Sequence, residues 1–160
     1  IDSITNKARR SMIDLNALAI RCYFHPDTKG KTSIKQVLPA VLKSSKVLKE
    51  EYSKPMVHTT TSLNFPDNFI WYQQTNGSLI NPYNLLNTKT ADNSQDKQTL
   101  KTNENLSIAD GGAAATAYAR LQFESLSLQD RQNIEKALLR YCELDTLAMV
   151  MIFKAWLDWC

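Results

Sequence analysis

Leu139-Arg-Tyr-Cys-Glu-Leu-Asp-Thr-Leu-Ala-Met149 sets the phenol of Tyr141 and the carboxylate of Asp145 four positions apart in a strongly helical pattern. Residues four apart on a helix lie one turn above each other, so both groups point the same way. Leu144, Leu147, Ala148 and Met149 flank the acid, which places Asp145 at the edge of the buried face. A carboxylate there is costly unless it is paired or metal-bound. On a rigid helix it can hold a divalent cation, and a phenol beside it can orient a metal-bound water. Metal-assisted hydrolysis of a phosphodiester uses both parts. The ordinary alternative is an intrahelical pair or a link to a neighbouring Arg. Glu143 points elsewhere and is expected to be solvated or to flank a second metal; Arg140 is expected on the surface.

The helical texture extends through region 108–160. Asp110 caps a helix over Ala113 to Phe123, and Ser127 starts another with Asp130 three positions on, a capping-box-like pair. The pattern then runs to Trp159 without Gly or Pro, as one long helix or two joined near Cys142. Region 1–55 is also helical. Asp14 follows Met12-Ile13, where it could end a strand, and precedes Leu15, Leu18, Ala19, Cys22 and Tyr23 at helical spacing, where it could be an N-cap. Pro26 and Gly30 end that element. Ser33 caps a second helix that Pro39 should kink or shorten, and a third covers Val47 to Tyr52.

Region 56–107 differs. Phe69-Ile-Trp-Tyr72 and Ser78-Leu-Ile80 flank Thr75-Asn-Gly77, a β-hairpin with an Asn-Gly turn. Residues 87–105 are almost all polar and read as a mobile loop. The expected fold is therefore mainly α with a small β-hairpin, in a single domain fragment.

At 160 residues, with 43% hydrophobic and 22% charged residues, the chain suits one modest core. A net charge of +3 permits nucleic-acid contact without demanding it. No apolar run reaches the length of a membrane span, and the chain opens at Ile1, which suggests a piece of something longer. Three scattered cysteines, Cys22, Cys142 and Cys160, fit reduced thiols in a cytoplasm. Cys22 and His25 have a zinc-like separation, but no second pair follows, so a small core thiol and a loop histidine are expected. His58 has no obvious partner.

Lys29-Gly-Lys-Thr-Ser-Ile-Lys35 lacks the upstream Gly and preceding strand of a nucleotide-binding P-loop. A weaker expectation survives. Ser33 at a helix N-terminus, with Lys29, Lys31 and Lys35, can hold a backbone phosphate of a nucleic acid. Seven lysines fall between Lys29 and Lys54, and a solvated basic face is expected ahead of a nucleic-acid track. Trp71, Trp156, Trp159 and Tyr72 could stack on single strands; core or interface packing is the expected role of the tryptophans.

Three blocks, Tyr23-Phe-His-Pro26 with Ser33-Ile-Lys-Gln-Val-Leu-Pro-Ala40, then Ile108-Ala-Asp-Gly-Gly-Ala-Ala114 with Tyr118-Ala-Arg-Leu121, then Leu138 to Met149, resemble in that order the bacterial family catalogued as domain of unknown function 2779. Residues 56–107 match only through Trp71, Gly77, Pro82 and Tyr83. The last block is also similar to the third motif of DEDD exonucleases of the tyrosine subclass. This resemblance implies the C-terminal portion of a ribonuclease H-like α/β exonuclease domain, a hydrolase acting 3′–5′ on nucleic acid with Mg²⁺ or Mn²⁺. Asp145 would be a metal ligand and Tyr141 would position the attacking water. The first-motif Asp-x-Glu of that superfamily does not occur in this sequence, and there is no clear second motif. The expected function is therefore the C-terminal part of a metal-dependent nuclease domain, inactive as an isolated fragment. Its expected partners are nucleic acid, DNA ahead of RNA, the remainder of its parent polypeptide, and a second copy through Trp156, Leu157 and Trp159. The alternatives are a helical interaction or scaffold domain, and a non-catalytic nucleic-acid-binding module.

Overall fold

A computed structural model of the chain describes residues 12–58, 61–86, 108 and 110–160. Its described elements are mainly helical, with one two-stranded antiparallel sheet. In chain order they are α1 (Leu15–Cys22), a 3₁₀ turn (Pro26–Thr28), α2 (Ile34–Ser44), α3 (Lys46–Tyr52), a second 3₁₀ turn (Met56–His58), β1 (Gln74–Thr75), β2 (Ser78–Leu79), α4 (Pro82–Leu85), α5 (Gly111–Phe123) and α6 (Leu128–Trp159). The polar stretch 87–105 lies outside the described residues.

The spine is α6, one uninterrupted helix of 32 residues. Ser127 opens it. Its hydroxyl accepts from the Asp130 amide at 3.1 Å and donates to the Asp130 carboxylate at 2.6 Å, which satisfies an orphan donor of the first turn. Ile134, Tyr141, Leu144, Ala148, Met151, Ile152 and Ala155 are buried along one stripe of it, the spacing of a core-facing helix. α2, α3, α4 and α5 all pack on α6. Leu38, Leu42, Leu48 and Leu144 are fully shielded from solvent; each such burial contributes about 2 kcal/mol. Lys154 of α6 also donates to Glu51 of α3. No helix among the described residues is long and apolar enough to cross a membrane.

Pro39 neither ends nor shortens α2. Its ring nitrogen cannot donate to the Lys35 carbonyl one turn back. The Asn81 side-chain amide reaches that carbonyl at 3.5 Å, which ties the segment after the hairpin to α2. The hairpin itself is shorter than its sequence suggests. Asn76 and Gly77 take positive φ values of 51° and 74°, the primed turn that Asn-Gly favours. Only Gln74–Thr75 and Ser78–Leu79 pair. Phe69 to Tyr72 do not extend the strand, because their rings are taken into the core. Phe65, Phe69 and Trp71 form a three-ring cluster with centroids 4.7–4.8 Å apart, and Trp71 is 1% exposed.

Three local expectations are corrected. Cys22 is exposed rather than a core thiol, since α1 is only a single short helix with one buried residue, Ala19. Arg140 is not a solvated side chain. Its guanidinium lies 4.6 Å above the Phe65 ring, and burial lowers its pKa. Glu143 is not simply solvated either: it accepts from the Asn64 side chain at 2.6 Å.

Candidate functional site

Asp14 opens α1 and Asp145 sits midway along α6. Both line one groove of about 680 Å³, with Ser33, Val37, Met149 and Trp156 among its other walls. The groove forms where the starts of α1 and α2 meet the apolar stripe of α6. Asp14 caps α1, accepting from the amides of Asn16 at 2.9 Å and Ala17 at 3.2 Å. Asp14 reads locally as a cap or a strand end, and nothing local links it to Asp145; chain packing makes that link.

Asp145 is half-buried and does not stand alone. The hydroxyl of Tyr83 donates to its Oδ1 at 2.6 Å. Tyr141 lies one turn back on α6, where it feels the Asp145 charge. Burial, and then the nearby Asp145 charge, push the Tyr141 phenol up to about 12. Burial and the same acid raise the Tyr83 phenol further. Both phenols are thus held neutral, and that of Tyr83 donates to the carboxylate. Tyr141 is 7% exposed and is not part of the groove wall, whereas Asp145 is. The backbone at Gly111 runs close: a Cβ there would stand 3.9 Å from the Tyr141 hydroxyl.

Lys35 completes the cluster. Its ammonium stands 5.3 Å from the Tyr83 ring centroid and 5.4 Å from that of Tyr141. Cation–π attraction of that kind is worth about 1 kcal/mol. Lys35 also depresses the Asp110 carboxyl, after the larger effect of the Ala113 amide that Asp110 caps. Tyr83 and Asp110 belong to this cluster, and sequence reasoning did not include them. The signal for Tyr83 was Asn81-Pro-Tyr83: Asn81 caps α4 by accepting from the Tyr83 amide at 3.1 Å, with Pro82 in the first turn.

The four residues expected to hold phosphate do not converge. Ser33 precedes α2 and lines the Asp145 groove, but its side chain makes no capping hydrogen bond. Lys35 is half-buried over the two tyrosines. Lys29 is the exposed left-handed residue that ends the first 3₁₀ turn, with φ 51°, and Lys31 is exposed beyond it. Neither lines the groove.

Cys22 and His25 form no zinc pair. His25 Nδ1 accepts from the Asp27 amide at 3.1 Å, so its proton sits on Nε2, which faces the Ser44 hydroxyl at 3.0 Å. One ring nitrogen therefore serves the turn and the other reaches the end of α2.

A pair of divalent cations needs several hard oxygen donors. Among the described residues, no group of three or more His, Cys, Asp or Glu side chains could hold a metal. Asp14 and Asp145 are two carboxylates on one groove, and each is already engaged by protein donors. The described residues alone do not compose the two-metal centre that the resemblance implies. Comparison with protein-family models, curated proteins and solved structures gave no match.

Proposed function

We propose that this chain is the C-terminal part of a metal-dependent, nuclease-like domain of ribonuclease H-like α/β type. Its substrate is nucleic acid, DNA ahead of RNA, and it is inactive without further acids. One observation carries the reading. Asp145, the acid of the Tyr-x-x-x-Asp motif, opens on a groove that also receives Asp14. The remainder of the parent polypeptide supplies the other carboxylates for Mg²⁺ or Mn²⁺ on this reading. Tyr141 acts as a neutral phenol that orients what the carboxylate holds. Exposed apolar residues such as Phe24, Leu157 and Trp159 are the surface that the parent chain or a second copy would cover.

The scaffold reading has its own support. Tyr83 already satisfies Asp145 at 2.6 Å, as a structural acid would require.

Two measurements separate them. In a Mn²⁺ titration followed by NMR line broadening, the nuclease reading expects amides around Asp14 and Asp145 to broaden, and the effect to vanish in Asp145→Asn. No broadening at either position favours the scaffold. Incubation with labelled single-stranded DNA and Mn²⁺ is expected to leave the DNA intact. Robust digestion abolished by Asp145→Ala would overturn the claim that the chain is inactive alone.

A further inference from the structure

Lys136 and Arg140 stand four apart on α6 and so share one face of it. Both line a concavity of about 1240 Å³ between α6 and the segment 63–74. Leu63, wholly exposed, and half-buried Phe69 and Ile70 give it an apolar wall. No acidic side chain is among the described residues that line it. We propose that this concavity binds a small organic carboxylate with an apolar body, gripped by the edge of the Arg140 guanidinium.

Arg140 Nε and Nη2 are sealed from solvent and have no hydrogen-bond partner among the described residues. These two nitrogens carry the parallel N–H bonds of one guanidinium edge, a fork that matches the two oxygens of a carboxylate. A buried donor left unpaired is costly, and a buried cation left unpaired is more so. The contact with Phe65 does not remove that cost. The ring takes the face of the guanidinium, 4.6 Å from the ring centroid, and a face contact leaves the in-plane N–H bonds unused. Arg140 is only half-buried, and its flexible stem lets the edge turn to the concavity while the face stays on Phe65.

Protein charges do not answer this fork. Glu143 stands one turn further along α6, but its carboxylate accepts from Asn64 at 2.6 Å and lines a different concavity. Lys136 makes no ion pair with a described residue either. Two cations one turn apart repel, and an anion between them reverses the sign. The side-chain amides on the wall add little. Those of Asn64, Gln73 and Gln74 are taken by Glu143, the Ile70 carbonyl and the Tyr72 hydroxyl. Recognition therefore falls to the fork, one rim ammonium and an apolar surface. A carboxylate on an apolar body matches all three. A nucleic-acid strand, with a charge on every phosphate, would lay most of its charge against apolar side chains.

This inference does not rest on the nuclease-like reading. Arg140 adjoins Tyr141 in sequence, but its concavity shares no lining residue with the Asp145 groove.

NMR titration of the full chain with phenylacetate, followed at the Arg140 Nε–H signal, tests it. That signal is expected to shift, and the neutral isostere phenylacetamide is expected to bind about tenfold more weakly. Arg140→Lys keeps the charge and loses the fork, and is expected to weaken binding roughly tenfold. Lys136→Gln is expected to weaken it about twofold, by an amount that shrinks as salt is raised. Lys46→Gln removes a charge outside the concavity and should leave affinity unchanged. Circular dichroism checks that the variants fold. Absence of binding by the unaltered chain, equal binding of phenylacetate and phenylacetamide, or full affinity in Arg140→Lys would overturn the proposal. The comparison of the two ligands uses the unaltered chain, so it holds even where a variant fails to fold. Tighter binding of phenyl phosphate, with the same dependence on Arg140, would assign the fork to phosphomonoesters and overturn the carboxylate.

Discussion

Tyr83 donates a 2.6 Å hydrogen bond to Asp145 across 62 residues of sequence, from a four-residue helix to the middle of α6. Tyr83 is 3% exposed, so its phenol is rigidly placed. The orientation of the motif acid is therefore set by a residue outside the motif. Tyr141 approaches the same carboxylate from α6 itself, with its ring centroid 6.4 Å from that of Tyr83. Two neutral phenols and one carboxylate, under the ammonium of Lys35, make one polar cluster in an otherwise apolar core.

Removing one donor from that acid has a definite cost. A hydrogen bond to a charged group contributes about 2 kcal/mol. Tyr83→Phe is expected to lower unfolding free energy by that amount in urea denaturation, and Asp145→Asn by a comparable amount. In the double variant the losses should fall short of additivity by more than about 0.5 kcal/mol, because the two groups act on each other. Full additivity would mean that the bond carries no stability.

Alkaline pH should weaken the fold through the same phenols. Tyr141 and Tyr52 have folded values raised from 10.0 to about 12, chiefly by burial. Groups whose folded pKa is raised stabilise the protein fully below the unfolded value, and that stability is lost as pH rises through the folded value. Unfolding free energy is thus expected to be independent of these groups below pH 10 and to fall from there towards pH 12. Tyr83 lies higher still, so it adds to the same slope. Denaturation followed by circular dichroism across this range checks the sign. Tyr141→Phe should flatten the decline, and an equally steep decline in that variant would contradict it.

Leu144 is fully buried, one residue before the acid. Leu144→Ala removes three side-chain carbons from the packing between α6 and its neighbours and is expected to cost about 3 kcal/mol. Because Leu144 does not line the groove, Asp145-dependent Mn²⁺ broadening should survive under conditions where the variant stays folded.

The Asn-Gly turn fixes the hairpin register. Gly77 has φ +74° with open space around it, so a methyl group there meets no atom but strains the backbone. Gly77→Ala is expected to cost about 1 kcal/mol. Its effect should concentrate in the Gln74–Leu79 ladder, seen as faster amide exchange of Ile80, whose amide donates to Gln73 at 2.9 Å.

Much of the helical order is legible in the chain. Asp14, Ser127 and Asp110 announce helix starts, and each accepts from a first-turn amide. These are short-range effects, decided within four residues. The hairpin turn is legible for the same reason, since positive φ at Asn76 and Gly77 is a local preference. The strand length is not. Phe69 to Tyr72 have strand-like composition, but the ring cluster with Phe65 claims them. Arg140 likewise reads as a surface residue until Phe65 is placed beneath it.

The sequence by itself determined where helices begin, that α6 is apolar along one stripe, and that Tyr141 and Asp145 share a face. Those facts follow from backbone periodicity and capping, which act over one turn. Only the tertiary structure decided that Asp145 meets Tyr83 and shares a groove with Asp14. It also decided that the Lys35 ammonium stands over Tyr83 and Tyr141, away from Lys29 and Lys31. Packing sets those neighbours. Burying the stripe of α6 requires α2 and α4 to close on it, and that closure brings together polar groups that no local pattern connects.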